Sequence, residues 1–460
     1  MSVTRAAWLV LGAGALVVAA VVMPAAGTGG VAGAATKSSV KSSVKFNGVW
    51  PGVGKVCGPG PGGATPTTRG VADKSVHIAV FNDAAYTGEP GLEIEFPQAS
   101  KAFASWCNAS GGIDGRKIVV DNRDAALVNA GEVTSEACQS DFMAVGGGMV
   151  LDNESVPVRV KCGLGQIPAY AVSTEAIDAP LQVEPENANL AYQSAGWYTA
   201  LAKAYPAAVK KASIGAQNVP SVVLDYRKYQ AAAEDQGWKF LPFQIAPIVV
   251  DDWTPYVQQI ATQGAKALEP AEDSNITSYV QAMDTAGYHP TFMLLPPQFY
   301  VSSTLKAAAS TPFPTTYVAL GYWPFQLASK SPGLSMELAL MHKYSPGDSI
   351  DSYDDESFVA WVLWAKSATA CGSHLTVSCV LSHAATEKNF SAGDIQAPVP
   401  QMAMSNDNPK PSACWVLMKV VGSKFVYDKA LTKPTSSIWN CNPKGLVKLP
   451  SSLANASAGA

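Results

Sequence analysis

Apolar positions recur along the chain in two alternating rhythms. Phe96, Ala99, Phe103, Trp106 and Cys107 stand at i, i+3, i+7, i+10 and i+11, one stripe of a helix. Gly111 and Gly112 follow, and glycines take the positive-φ conformations that end helices. Asp114-Gly115 makes a second tight turn. Ile118-Val119-Val120 is then a short apolar, β-branched run, as in a strand buried on both faces. A helix feeding such a strand through glycines is half of a parallel α/β unit.

The alternation extends in both directions. Strands are predicted at 76–81 (VHIAVF), 118–120, 142–145, 167–172 and 181–184, with a second helix at 127–139. The pattern then restarts. After a helix at 191–205, strands are predicted at 211–216, 238–245, 265–268, 291–295 and 316–320. Thr254 suits an N-cap, Pro255 the first helical position, and Gly264 the end of that helix. Another helix, 276–286, closes with Gly287 and the breaker Pro290. Helices at 334–344 and 353–370 and a strand pair at 413–421 and 424–427 complete the chain. The expectation is an α/β protein with two doubly wound parallel-sheet lobes.

Composition adds the compartment. The 460 residues are 48% hydrophobic and 15% charged, with a net charge of −4. That suits a globular protein and, lacking a basic excess, argues against nucleic acid as a partner. Residues 1–35 read as a signal peptide: Arg5, an apolar run over 8–23, then Ala32-Gly33-Ala34 as a small-x-small cleavage site. Whether the segment is cleaved or kept as an anchor stays open. The chain is therefore expected outside the membrane, secreted or in the cell envelope. Residues 36–70 are Ser-, Gly- and Pro-rich and read as a linker; 449–460 read as a disordered tail. Eight cysteines in an exported chain read as disulfides, with pairing that the sequence alone leaves open.

Gly111-Gly112-Ile113-Asp114-Gly115-Arg116 resembles the "GGI-[DN]-G-R" segment of the type I periplasmic binding proteins, specifically the leucine/isoleucine/valine-binding family of ABC-transporter receptors. Asp252-Trp253-Thr254-Pro255-Tyr256-Val257, with Gly264-Ala265 two turns later, is similar to that family's second lobe. Gly422, Lys424, Phe425 and Val426 resemble its late β-pair. The resemblance spans about 71–447. It implies lobes of 71–185 with 322–400 and of 186–321 with 401–448, joined by a three-crossing hinge near 184–190, 320–323 and 398–402. It also implies a monomeric receptor that hands a small-molecule solute to an ABC permease, with no cofactor and no catalysis. Some members join their first two helices by a disulfide, here Cys107–Cys138. Cys371–Cys379 and Cys414–Cys441 are close in sequence, and Cys57–Cys162 is left. The family's lipid anchor needs a Cys just after the signal. The first Cys here is Cys57, behind Gly54-Lys55-Val56, which is no lipidation box.

In open parallel sheets ligands collect beyond the carboxyl ends of the strands. That rule selects Tyr86 and Thr87, with Asn82 and Asp83, after the first strand. It selects Gly148 and Met149 after the third, and Ser173 and Thr174 after the fourth. From the second lobe it selects Gln217 and Asn218, Glu269 and Glu272, then Gln298, Phe299 and Tyr300; Tyr322 and Trp323 sit at the second crossing. The family's amino-acid receptors hold the ligand carboxylate with first-lobe hydroxyls and the ammonium with a second-lobe acid. Ser173 and Thr174 keep the hydroxyls. Gly147-Gly148-Met149 replaces serines, and Gln298 stands where the glutamate would. The solute is expected to be amino-acid-like, or more apolar and aromatic to suit the aromatic supply.

Other clusters have plainer readings. Gly146-Gly147-Gly148 offers N–H groups to an anion but is no dinucleotide fingerprint. Cys371, His374, Cys379 and His383 have zinc-ligand spacing, against which stands a Cys371–Cys379 disulfide. Asp354-Asp355-Glu356 reads as helix-dipole compensation rather than a metal site. No hydrolase or nucleotide motif is present. A ligand sensor without transport and, more weakly, a secreted hydrolase remain as alternatives.

Overall fold

The computed structural model describes residues 44–63, 68–186, 188–271, 276–407 and 409–456. The predicted signal segment and its apolar run lie outside them, as does Glu272. Among the described residues no helix is long and apolar enough to cross a membrane.

The first sheet has four parallel strands in the order Lys117–Asp124, Ser75–Asn82, Met143–Val145, Gly165–Ile167. The helix Glu95–Ala109 buries Phe96, Ala99, Phe103, Trp106 and Cys107, the predicted stripe. Ser352–Cys371 packs against it. Phe358 through Ala365 of that helix are all buried, as expected of a helix apolar on every face. The second sheet has eight strands. Gln244–Ala246, Ala212–Gln217, Ala267–Glu269, Phe292–Leu295 and Thr316–Leu320 run parallel. Cys414–Val421 and Lys424–Tyr427 add antiparallel to the last of these, and Asn440–Cys441 pairs with Cys414–Val421. The fold is α/β, with its two larger sheets in separate halves.

The glycine turn works as its residues require. Gly112 has φ +78°, and a Cβ there would stand 2.1 Å from the Arg116 carbonyl oxygen. Arg116 itself is fully buried. Its guanidinium donates to the Gly372 carbonyl at 3.3 Å and to the Gly63 carbonyl, tying the turn to the end of Ser352–Cys371 and to the N-terminal segment.

Several expectations need correction. The disulfides are Cys57–Cys107, Cys138–Cys162, Cys371–Cys379 and Cys414–Cys441. Cys107 therefore pairs with Cys57, not Cys138. The cause is the segment 44–63, which is packed rather than a free linker. Val49–Trp50 and Gly54–Lys55 form a hairpin, Trp50 sits fully buried against Phe103, Trp106 and Phe358, and Gly58 N–H donates to Gly112. That docking lays Cys57 on the first helix. Cys138 instead meets Cys162 at the end of Ser155–Cys162, a helix the pattern did not predict and one that packs on Ala130–Ser140. Peptide mapping under non-reducing conditions should recover these four pairs. Replacing Cys138 and Cys162 together by serine should cost about 2–4 kcal/mol in urea unfolding; recovery of a Cys107–Cys138 peptide would refute the pairing.

The predicted strand 181–184 is only a bridge from Gln182 to Gln166. The 167–172 strand ends at Ile167, and 238–245 shrinks to Gln244–Ala246. The 191–205 helix is Gly196–Ala204, preceded by a short strand Tyr192–Ser194 that pairs with Leu446–Lys448. In the expected tail, Ser451–Ala454 is helical, and the Ala456 carbonyl accepts from Thr174 Oγ1 at 2.6 Å. The Cys371–Cys379 bond uses both sulfurs that zinc would need, while His374 and His383 are exposed.

Candidate functional site

A cavity of about 370 Å³ lies where the carboxyl ends of both sheets meet the connecting segments. That volume is in the usual range for small-molecule sites, roughly 300–1,000 Å³. From the first half it receives Tyr170, Ala171 and Val172, beyond Gly165–Ile167, and Tyr353 and Glu356 from the first turns of Ser352–Cys371. From the second half come Tyr198, then Asp225, Tyr226, Lys228 and Tyr229 of Pro220–Asp235, Glu269 at the end of its strand, and Gln298. Glu184, Glu186, Gly321 and Gln396 come from the connections.

Each wall is held by identifiable bonds. Glu184 Oε1 accepts the Ala171 N–H at 3.0 Å. Asp152 accepts the N–H groups of Val172 and Ser173 at 2.8 and 3.1 Å. The Tyr170 hydroxyl bonds Glu93. Tyr198 donates to Glu269 Oε2 at 3.0 Å, while Glu269 Oε1 has no protein partner. The Tyr322 hydroxyl is bonded with Glu186 and Glu356, whose Oε2 has no partner either.

Burial dominates the electrostatics, because it disfavours charge. It pushes Glu269 up to about 8 against the opposing Tyr198 bond. It pushes Glu184 to about 8, with the neighbouring charge of Glu186 adding to it and the Ala171 N–H opposing. Glu356 is raised well above its usual value, first by burial and then by Glu186 and Asp351. Asp152 rises to about 6, burial outweighing its hydrogen bonds. Burial lowers the Lys228 ammonium, opposed by Asp225 and Glu175.

Of the residues selected from sequence, Glu269 and Gln298 line the cavity, and Tyr322 stands behind it through its bonds to Glu186 and Glu356. The others lie elsewhere. Thr87 is exposed and Tyr86 half-buried on the loop after the first strand. Asp83 there accepts the N–H groups of Leu127 and Val150. Gly148 backs the wall, since a Cβ on it would stand 2.8 Å from the Tyr170 ring. Met149 is buried with Phe81 and Ala144. The Ser173 hydroxyl caps Thr174–Ile177, and Thr174 is bonded to Ala456. Gln217 donates to the Ile248 carbonyl, and Asn218 is exposed. Phe299 is in the core; Trp323 packs edge-on to Trp439. Asp354 and Asp355 stand in the first turn of their helix, where the dipole reading put them. Asp354 Oδ2 accepts the Asp351 N–H in a capping box, and the side chains of Asp354, Asp355 and Glu356 are buried. Tyr170, Tyr198, Tyr229, Glu184, Glu186 and Lys228 were missed. Tyr198, Lys228 and Tyr229 sit on helices and Glu184 and Glu186 on a crossing, where strand-end counting does not look; Tyr170 follows the true strand end at Ile167, but the predicted strand ran on to 172.

A family model described as "Periplasmic binding protein" matches residues 85–424. A comparison with curated proteins finds no match. Among solved structures, a fatty acid ABC transporter substrate-binding protein from Thermomonospora curvata is 15% identical, covers 87% of this chain and 98% of its own, and has a TM-score of 0.60. A leucine binding protein from Thermotoga maritima is 9% identical over 76% of this chain and 97% of its own, with a TM-score of 0.61. A solute binding protein from R. palustris in complex with 4-hydroxybenzoate is 14% identical over 77% and 96%, with a TM-score of 0.62. With a fold of two α/β halves around one cavity and a family match across most of its length, the chain belongs to the periplasmic binding protein family.

Proposed function

We infer that the protein is an exported, monomeric receptor of an ABC importer, which captures one small organic solute between two lobes and presents it to a membrane permease. The observation that carries this reading is the cavity itself, walled at once by strand ends of both sheets and by the connections between them. The family's solute-binding role supports it. So does the fold, because each sheet has its own flanking helices; the connections between the halves would then run near 184–190, 320–323 and 398–402. No bond is made or broken in this reading.

Lobes of 71–185 with 322–400 and of 186–321 with 401–448 would then close as rigid bodies about those connections. Solute shifts that balance only through extra affinity for the closed form, so it must touch both lobes. Small-angle scattering of the full chain, stripped of solute and then saturated, should show the radius of gyration fall on binding. Identical scattering with a solute that raises the melting temperature would leave a binding protein without the clamshell mechanism. A broad thermal-shift screen of amines, amino acids, aromatic acids and neutral solutes that moves nothing would refute the receptor reading.

A further inference from the structure

We propose that the captured solute is an organic ammonium ion that carries no carboxylate, held between Glu269 of one half and Glu356 of the other. The proposal rests on the receptor reading and names its substrate class. The cavity lining contains five carboxylates (Glu184, Glu186, Asp225, Glu269 and Glu356) and a single cationic side chain, Lys228. Burial disfavours the charge of Lys228, and the charges of Asp225 and Glu175 act back on it, so this one cation faces a lining dominated by acids. Glu269 is 6% exposed and Glu356 8%, and each leaves one carboxylate oxygen without a protein partner. Buried carboxylate oxygens need donors or a counter-charge. They come from opposite halves, so a donor-rich cation would bridge them in the closed form.

The remaining wall fits the same guest. Tyr198, Tyr226 and Tyr229 contribute aromatic rings, whose faces attract cations and whose bodies cover an apolar stem. An ammonium brings donors only, which matches a site rich in acceptors. A fatty acid, leucine or 4-hydroxybenzoate, named for the similar structures, would instead add a carboxylate to a lining that already carries five carboxyl groups and one lysine. The departure from expectation is therefore electrostatic, not a matter of size.

The test is isothermal titration of the full chain at pH 8 with two ammonium probes: phenethylamine and putrescine. Their counterparts are benzoate, L-leucine and the uncharged benzyl alcohol. At least one ammonium probe should bind tenfold or more tightly than every counterpart. Glu269→Gln and Glu356→Gln should each weaken that probe by tenfold or more, with melting temperatures no lower than that of the parent. Should Glu356→Gln fail to fold, Glu356→Asp keeps the charge, displaces it, and should weaken the probe in the same sense. Benzoate, leucine or benzyl alcohol binding as tightly as any ammonium overturns the charge assignment and leaves the receptor reading intact. Probes that bind equally to both glutamine variants overturn it as well. If no ammonium probe binds, the proposal fails; if nothing in the broad thermal-shift screen binds either, the receptor reading fails with it.

Discussion

Urea unfolding at pH 5.5 should give a distinctly larger stability than at pH 8, the reverse of a protein whose carboxylates are salt-bridged. The cause is a set of buried acids with no basic partner among the groups that perturb them. Burial pushes Glu184, Glu269 and Glu337 each up to about 8. Glu93, Asp351, Asp354, Asp355 and Glu356 are also raised well above their ordinary values, by burial first and by the charge of a neighbouring acid next. The opposing influences are hydrogen bonds. Asp351 N–H donates to Asp354 and Tyr353 N–H to Asp351. In the unfolded chain these acids ionise near pH 4–4.5. Between there and about 8 the folded protein holds more protons than the unfolded one, so stability falls as pH rises. Each such proton contributes a slope of about 1.4 kcal/mol per pH unit. A single retained proton lowers stability by about 3 kcal/mol from pH 5.5 to 8. Glu337→Gln should flatten the slope. A stability that is level or rising across that window would mean that these carboxyls are ionised in the fold, or reached by solvent.

The fold was largely legible in the sequence because its signals are local. The stripe from Phe96 to Cys107, the glycines at 111 and 112, and the runs 76–81 and 316–320 each depend on neighbours a few residues away. What failed depends on distant partners. The segment 44–63 has linker composition, yet Trp50 is buried because Phe103, Trp106 and Phe358 make room for it. That contact, invisible in the sequence, also decides which cysteine faces Cys107. Leu181-Gln182-Val183-Glu184 has a strand's alternation, but Gln182 is fixed by the Arg159 guanidinium and the Gln166 backbone, and Glu184 turns to Ala171. The site was legible only where it obeys the strand-end rule, as at Glu269 and Gln298. Glu356 looked like a dipole partner because it lies in the first turns of its helix. Nothing local says that the helix end is buried against the crossing that carries Glu186.

Trp361→Ala should be the most damaging single truncation in the first half, costing about 3–5 kcal/mol. Trp361 is fully buried at the middle of Ser352–Cys371. Its ring stacks on Phe103 at 5.5 Å and meets Trp364 edge-on at 5.4 Å. Its Nε1 donates to Ser100 Oγ at 2.7 Å. The same ring fills the space over Gly146, where a Cβ would approach it to 2.5 Å, and Ser357 one turn earlier donates to the Gly146 carbonyl at 2.7 Å. One side chain thus joins two helices to the loop after Met143–Val145. That loop supports Gly148, which lies against Tyr170 in the cavity wall. Trp361→Phe retains most of the ring but leaves the Ser100 hydroxyl without its donor, at a cost of about 1–3 kcal/mol. Urea unfolding followed by circular dichroism separates the two variants. If Trp361→Ala unfolds within 1 kcal/mol of the parent, the helix does not anchor the loop. Because the loop backs Tyr170, solute affinity should weaken in the alanine variant under conditions where it remains folded, and to a smaller degree in the phenylalanine one.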